Sequence, residues 1–162
     1  MFEQQITLNR FLLKYLNGLM QDVEDADLAT RSEDGGNSPL WILGHLAVVG
    51  DSAARVLGLR PVQPKEWRRV FFPGTDGDVA DAGDLTKQQL LDAIHEGYKR
   101  LYPELENVDT AAMAEPHGIE LLKGSGLETK ADFLSHVLTT HMAMHIGQIS
   151  YWRRQHGGAI IV

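Results

Sequence analysis

Apolar residues recur three and four positions apart over most of the chain, the spacing that places them on one face of an α-helix. The first run covers about 2–23, with Phe2, Ile6, Leu12, Leu13, Leu16, Leu19, Met20 and Val23 on its apolar side. Asn17-Gly18 lies near its end, and Arg31-Ser-Glu-Asp-Gly-Gly-Asn37 reads as a polar loop. The second run opens at Ser38-Pro39, an N-cap followed by proline at the first helical position. Ile42, Leu46, Val49, Ala53 and Val56 carry it to Gly58, a stop signal. The third runs from Thr86, an N-cap, to about Val108, through Leu91, Ile94, Tyr98, Leu101 and Leu105. Pro103 inside it predicts a kink or a division. The fourth extends from about Thr129 to Gln155. Thr129 and Asp132 form a capping-box variant at its start, and Gly157-Gly158 end it. Phe133, Val137, Leu138, Met144, Ile149 and Trp152 are its apolar positions.

Between the second and third runs, from Leu59 to Leu85, no period survives; three prolines and three glycines interrupt it. About 25 residues is long for a structureless connection, which predicts a crossover or a functional loop. Its aromatics, Trp67, Phe71 and Phe72, are expected to fold back onto the core or to wall a pocket. No alternating strand of useful length is present; Ala159-Ile-Ile-Val162 is too short to weigh. These patterns predict an all-α fold, a four-helix bundle with a long crossover loop, as a single domain over 1–162.

Composition narrows the partners. Apolar residues make up 43% and charged residues 23%, which fits a globular chain rather than a disordered one. A net charge of −7 repels a phosphate backbone, so no nucleic-acid partner is expected. The absence of cysteine excludes disulfides, thiolate metal sites and a thiol nucleophile on the protein, although the thiol of a substrate is still open to it. No run of 18 apolar residues exists, and Glu3, Arg10 and Lys14 break the order of a signal peptide. The expected location is the cytoplasm, without a membrane partner.

Seven histidines carry the candidate chemistry: His45, His95, His117, His136, His141, His145 and His156. At about 100° per residue, His141 and His145 stand about 40° apart, one turn above each other, and can hold one ion together. His136 is about 140° from His141 and is expected to face elsewhere. His45, set among apolar residues in Trp41-Ile-Leu-Gly-His-Leu46, needs a partner at that depth and supplies a third ligand. Gly44 beside it allows a neighbouring helix to approach. Three histidines with positions left open make a catalytic type of site. Gln148 shares the face of His141 and His145, where it could orient a ligand or bond to another helix. Asp51 and Ser52, beyond His45, are further candidates for an outer layer. His95 and His117 read as hydrogen-bonded histidines. His156, Arg153 and Arg154 suit a helix C-terminus, and the arginines could also meet an anionic substrate.

His45 in its helix and the run His141-Met-Ala-Met-His145-Ile-Gly-Gln148-Ile, followed by Arg153-Arg154 and a glycine, resemble the DinB/YfiT-like family of metalloenzymes. The resemblance covers nearly the whole chain, including Phe72-Pro-Gly74 in the long loop. It implies a four-helix bundle in which His45, His141 and His145 bind one divalent transition metal ion per chain, zinc or nickel, and it implies a homodimer. Family members of assigned activity include transferases and isomerases that use low-molecular-weight thiols such as bacillithiol or mycothiol. The function expected from the resemblance is metal-dependent, S-transferase-like chemistry between such a thiol and a small electrophile. Its rivals are metal-assisted hydrolysis at the same ligands and a non-catalytic stress-response module with a structural ion or none.

Overall fold

The computed structural model describes residues 1–75 and 77–161; Val162, the end of the short terminal segment, lies outside the described residues. Four long helical stretches form the bundle: α1 (Glu3–Met20), α2 (Pro39–Val56), α4 (Lys87–Lys99) and a last stretch over 130–155. Short helices α3 (Lys65–Phe71), α5 (Tyr102–Glu106) and α6 (Thr110–Met113) lie in the connections. The last stretch comprises α7 (Lys130–His136), a π-helical turn (Val137–His141) and α8 (Met142–Gln155). Among the described residues no β-strand forms; Pro116 and Thr129 make one isolated bridge.

Helix starts follow local chemistry. The Ser38 hydroxyl accepts the Trp41 N–H, with Pro39 following. Thr86 with Gln89, and Thr129 with Asp132, form complete capping boxes. Pro103 divides the third stretch, so that α5 begins at Tyr102. Within 59–85, where no period is visible, α3 forms as a short helix opened by Pro64 at its N-cap. Its seven residues are too few for a repeat to register.

Contacts between loops and helix ends fix the directions. Arg153, near the C-terminus of α8, bonds Asp22 just beyond the end of α1, while Gln5 bonds Ser135 and Asn9 bonds Leu138 in the first halves of both. α1 and the last stretch therefore run parallel. The Leu40 N–H at the start of α2 donates to Leu28, and the Lys87 N–H at the start of α4 donates to Asp25. At the other ends, Arg100 lies 4.0 Å from Asp51. α2 and α4 are thus parallel to each other and opposed to the first pair. Parallel neighbours require the chain to return along the bundle, and the 57–86 connection does this. On the way, Asp51 accepts the N–H groups of Val62 and Gln63, both at 2.9 Å. The crossover expected from the length of this connection is present, and Asp51 serves it rather than the histidines.

The core is continuous across the four stretches, from Phe2 and Leu16 through Ile42, Leu46, Phe71, Leu90 and Ile94 to Leu138 and Ile149. Asn9 is fully buried within it. Asn9 donates to the Leu138 carbonyl at 2.8 Å and accepts from the Tyr102 hydroxyl at 2.7 Å. Leu138 lies in the π turn, where carbonyls leave the ordinary helical ladder and need other donors. The Thr139 hydroxyl takes another, the carbonyl of Ser135, at 2.6 Å. No helix is long and apolar enough to cross a membrane among the described residues.

Asn9→Ala strands a buried carbonyl and a buried hydroxyl, which costs about 2–4 kcal/mol. At roughly 2–4 °C per kcal/mol for a chain of this size, thermal unfolding should shift down by roughly 4–15 °C. An unchanged midpoint in calorimetry would show that Asn9 does not secure the π turn.

Candidate metal centre

His45 projects from the first half of α2 toward the last stretch, and its position is set from two sides. A Cβ on Gly44 would lie 2.5 Å from the ring of Phe71, so only glycine lets α3 pack there. With Phe71 in place, its carbonyl accepts the His45 Nδ1–H at 2.8 Å. Trp41 stacks on the His45 ring, centroids 4.7 Å apart and planes within 9°. The indole Nε1–H is held by the Val70 carbonyl and the Thr75 hydroxyl. The crossover connection therefore grips His45 directly through Phe71 and indirectly by holding Trp41 of α2. His45 is 2% exposed.

His141 ends the π turn and His145 lies one turn on in α8. One ring nitrogen from each of His45, His141 and His145 lies within 4.8 Å of the others. The Nε2 atoms of His45 and His141 are 3.1 Å apart. The Nδ1–H of His145 donates to Gln148 Oε1 at 2.9 Å. Because the Nδ1 atoms of His45 and His145 donate outward, their Nε2 lone pairs point inward. Gln148 thus orients a histidine within its own helix and, among the described residues, makes no bond to another helix. The Nδ1 of His141 is buried without a hydrogen-bond partner.

Burial holds all three imidazoles in the neutral form. It pushes His45 down to about 4 and His141 down to about 2, with repulsion from neighbouring histidines as the second cause. His145 is lowered by burial too, partly countered by its bond to Gln148. Neutral rings with converging lone pairs are what a transition metal requires. Two nitrogens bound to zinc at about 2.0–2.1 Å in a tetrahedral arrangement lie about 3.4 Å apart, close to the His45–His141 spacing. The residues present fit a divalent ion.

His136 does not face elsewhere. Its ring meets that of His141 edge-on, with centroids 5.5 Å apart. In an α-helix residues five apart diverge by about 140°, but the π turn closes at five residues and returns them to nearly one face. The other histidines have separate structural roles. His117 accepts the Ile119 N–H and donates to the Leu127 carbonyl, pinning a loop. His95 bonds Asn17 across to α1, and His156 bonds the Trp152 carbonyl at the end of α8. Arg153 is buried and paired with Asp22, which leaves it no surface for a substrate. Arg154 lies over the ring of Tyr151.

A cavity of about 520 Å³ opens beside His141. Its walls are mostly apolar, among them Val49, Phe72, Ile119, Phe133 and Val137, and Ser52, Arg55, Arg68 and His136 also line it. Arg68 and Phe72 come from the connection that has no period in sequence. That segment signals only its aromatic content.

Residues 10–149 match the DinB superfamily. This chain belongs to the DinB superfamily. Among solved structures, YfiT from Bacillus subtilis superposes with a TM-score of 0.65 at 19% identity, covering 97% of this chain and 88% of that one. YfiT is described as a probable metal-dependent hydrolase with an unusual four-helix bundle topology. At that identity the likeness establishes the DinB-like bundle. No curated protein matches the chain by sequence.

Gly44 and Gly147 give a paired test of how the DinB-like site is packed. Both are helical, but a Cβ at Gly147 would meet nothing within 4 Å. Gly147→Ala should raise stability by about 0.5–1 kcal/mol through helix propensity. Gly44→Ala should lower it by about 1–3 kcal/mol through overpacking against Phe71. If both variants are stabilised in denaturant titrations, the close seat of Phe71 on α2 is wrong.

Proposed function

We propose that the chain is a divalent-metal-dependent enzyme in which His45, His141 and His145 hold one ion, zinc or nickel. The reaction class we assign is transfer between a low-molecular-weight thiol and a small electrophile. The observation that carries this reading is the convergence of three neutral, inward-pointing imidazoles beside an apolar cavity with arginines in its wall. A divalent ion supplies Lewis acidity, acidifying a thiol that shares the site. The protein's part is orientation and exclusion of water. The Phe71 carbonyl and Gln148 fix the tautomers of His45 and His145. Trp41 covers one face of His45, and the apolar walls keep the cavity dry enough for charge to be felt strongly. Arg55 and Arg68 favour a negative charge, such as that of a thiolate, within reach of the cavity.

Hydrolysis is the second reading. It is supported by the description of YfiT as a probable metal-dependent hydrolase. It requires a general base for water, and the cavity walls supply histidine and arginine rather than a carboxylate.

Purified without a histidine tag, the protein should carry about one ion per chain by plasma mass spectrometry. His45→Ala and His141→Ala should each abolish it while circular dichroism stays helical. Absence of the ion in the parent, even after reloading with zinc and nickel, would return the three residues to ordinary core histidines. The loaded protein should then couple thiols to aryl halides faster than it cleaves esters; the reverse order selects hydrolysis.

Gln148→Ala removes the acceptor that orients His145. Metal affinity should fall roughly 10- to 100-fold, as measured by chelator competition, with little change in melting temperature. Equal affinity would mean that Gln148 has no part in the site.

A further inference from the structure

The cavity contains a positive group that the fold leaves unmatched. Arg68, half-buried on α3, stacks its guanidinium over Phe72 at 4.2 Å, and its Nη1 is sealed from solvent with no acceptor. Arg55 lines the same cavity and repels it. The carboxylate that attracts Arg68 is Asp51, which accepts the Val62 and Gln63 N–H groups and makes no hydrogen bond to Arg68 among the described residues. Lys130, also in the wall, is paired with Glu115 at 2.7 Å. No acidic residue is among those described as lining the cavity.

A buried N–H without an acceptor is costly, and a second cation beside it adds to the cost. A bound anion offsets the repulsion between the two cations. The planar guanidinium, held flat by Phe72, presents the fork that a carboxylate fits. The remaining walls are mostly apolar, with Val49, Val56, Leu122 and Phe133 among them, and their other polar side chains, Ser52 and the histidines, include no carboxylate.

We infer that Arg68, assisted by Arg55, anchors the anionic group of a substrate whose apolar body fills the cavity and whose reacting end lies toward His141. The ligand class is a small amphipathic monoanion, with a carboxylate as the best match. The assignment of the reacting end rests on the metal-enzyme reading above; the anchoring itself is testable without it. The carboxylate belongs either to the thiol or to the electrophile.

Calorimetric titration with octanoate and 1-octanol tests the anchor. Octanoate should bind at least about 10-fold more tightly than octanol. Arg68→Gln should weaken octanoate about 10- to 30-fold and leave octanol within about twofold. Arg69→Gln should change neither, because Arg69 is exposed and paired with Asp81. Equal affinities for the two ligands, or an octanoate affinity unaltered in a folded Arg68→Gln protein, would overturn the inference. Should Arg68→Gln fail to fold, Arg68→Lys and the salt dependence of the parent decide. An octanoate affinity insensitive to salt between about 0.05 and 0.5 M also overturns it. Metal content measured on the same samples separates the two proposals. An ion-free parent defeats the metal reading, whereas a loaded protein indifferent to Arg68 defeats the anchor. Titration with 8-mercaptooctanoate locates the carboxylate. Tighter binding on nickel loading places it on the thiol, and unchanged binding places it on the electrophile.

Discussion

The bond from His45 to the Phe71 carbonyl is the constraint on which the site depends. An imidazole buried in a helical core is tolerated only when its polar atoms are matched. The Phe71 carbonyl matches Nδ1, and by doing so commits Nε2 to the centre of the bundle. That carbonyl is available because α3 has ended there and its last carbonyls have no helical partner. It is close enough because α2 carries glycine at position 44. The crossover connection, which the parallel arrangement of α2 and α4 makes necessary, therefore also assembles one third of the site.

The last stretch makes a second accommodation. A regular helix would align His141 with His145 but turn His136 away. The π turn inserts the extra width that brings His136 beside His141 and gives the cavity its histidine wall. Such a turn frees backbone carbonyls, and the side chains that capture them, Asn9 and Thr139, lie on α1 and within the turn itself. Two irregularities, one in α3's seat and one in the last stretch, thus converge on the same group of rings. Departures from ideal geometry that are stabilised elsewhere in the fold are characteristic of functional sites.

Sequence made the regular part of this structure legible and the irregular part not. Ser38-Pro39, Thr86 and Thr129 announce their helices because capping is a local interaction. His141 and His145 are related by a period that any helix preserves, and His45 is conspicuous as a polar residue in an apolar run. His136 stands beside His141, against the helical period, because a π turn leaves no mark in residue types; Thr139 and Asn9 account for it only once the helices are packed. Phe72 shows in the sequence as one of the loop aromatics that could wall a pocket, and it does so, whereas nothing in the residue pattern marks Arg68. Arg153 drew attention as a possible anion contact, yet its burial against Asp22 depends on where α1 ends, a tertiary fact. Asp51 likewise looks like a neighbour of His45 in sequence but faces the outgoing connection.

The bundle and the cavity place different limits on the chemistry. A DinB-like arrangement of three imidazoles is compatible with several reactions, since Lewis acidity serves a thiol and a water equally. What can distinguish them is the wall that a substrate meets. Here that wall is mostly apolar, lacks an acidic side chain among its described residues, and contains the guanidinium groups of Arg55 and Arg68. Such a surface would favour an anion with an apolar body over a neutral polar molecule, because Arg55 and Arg68 reward negative charge and most of the remaining wall is apolar. The crossover connection supplies Arg68 and Phe72 to the cavity and Phe71 to the histidines, so that one segment shapes both the wall a substrate would meet and the seat of His45.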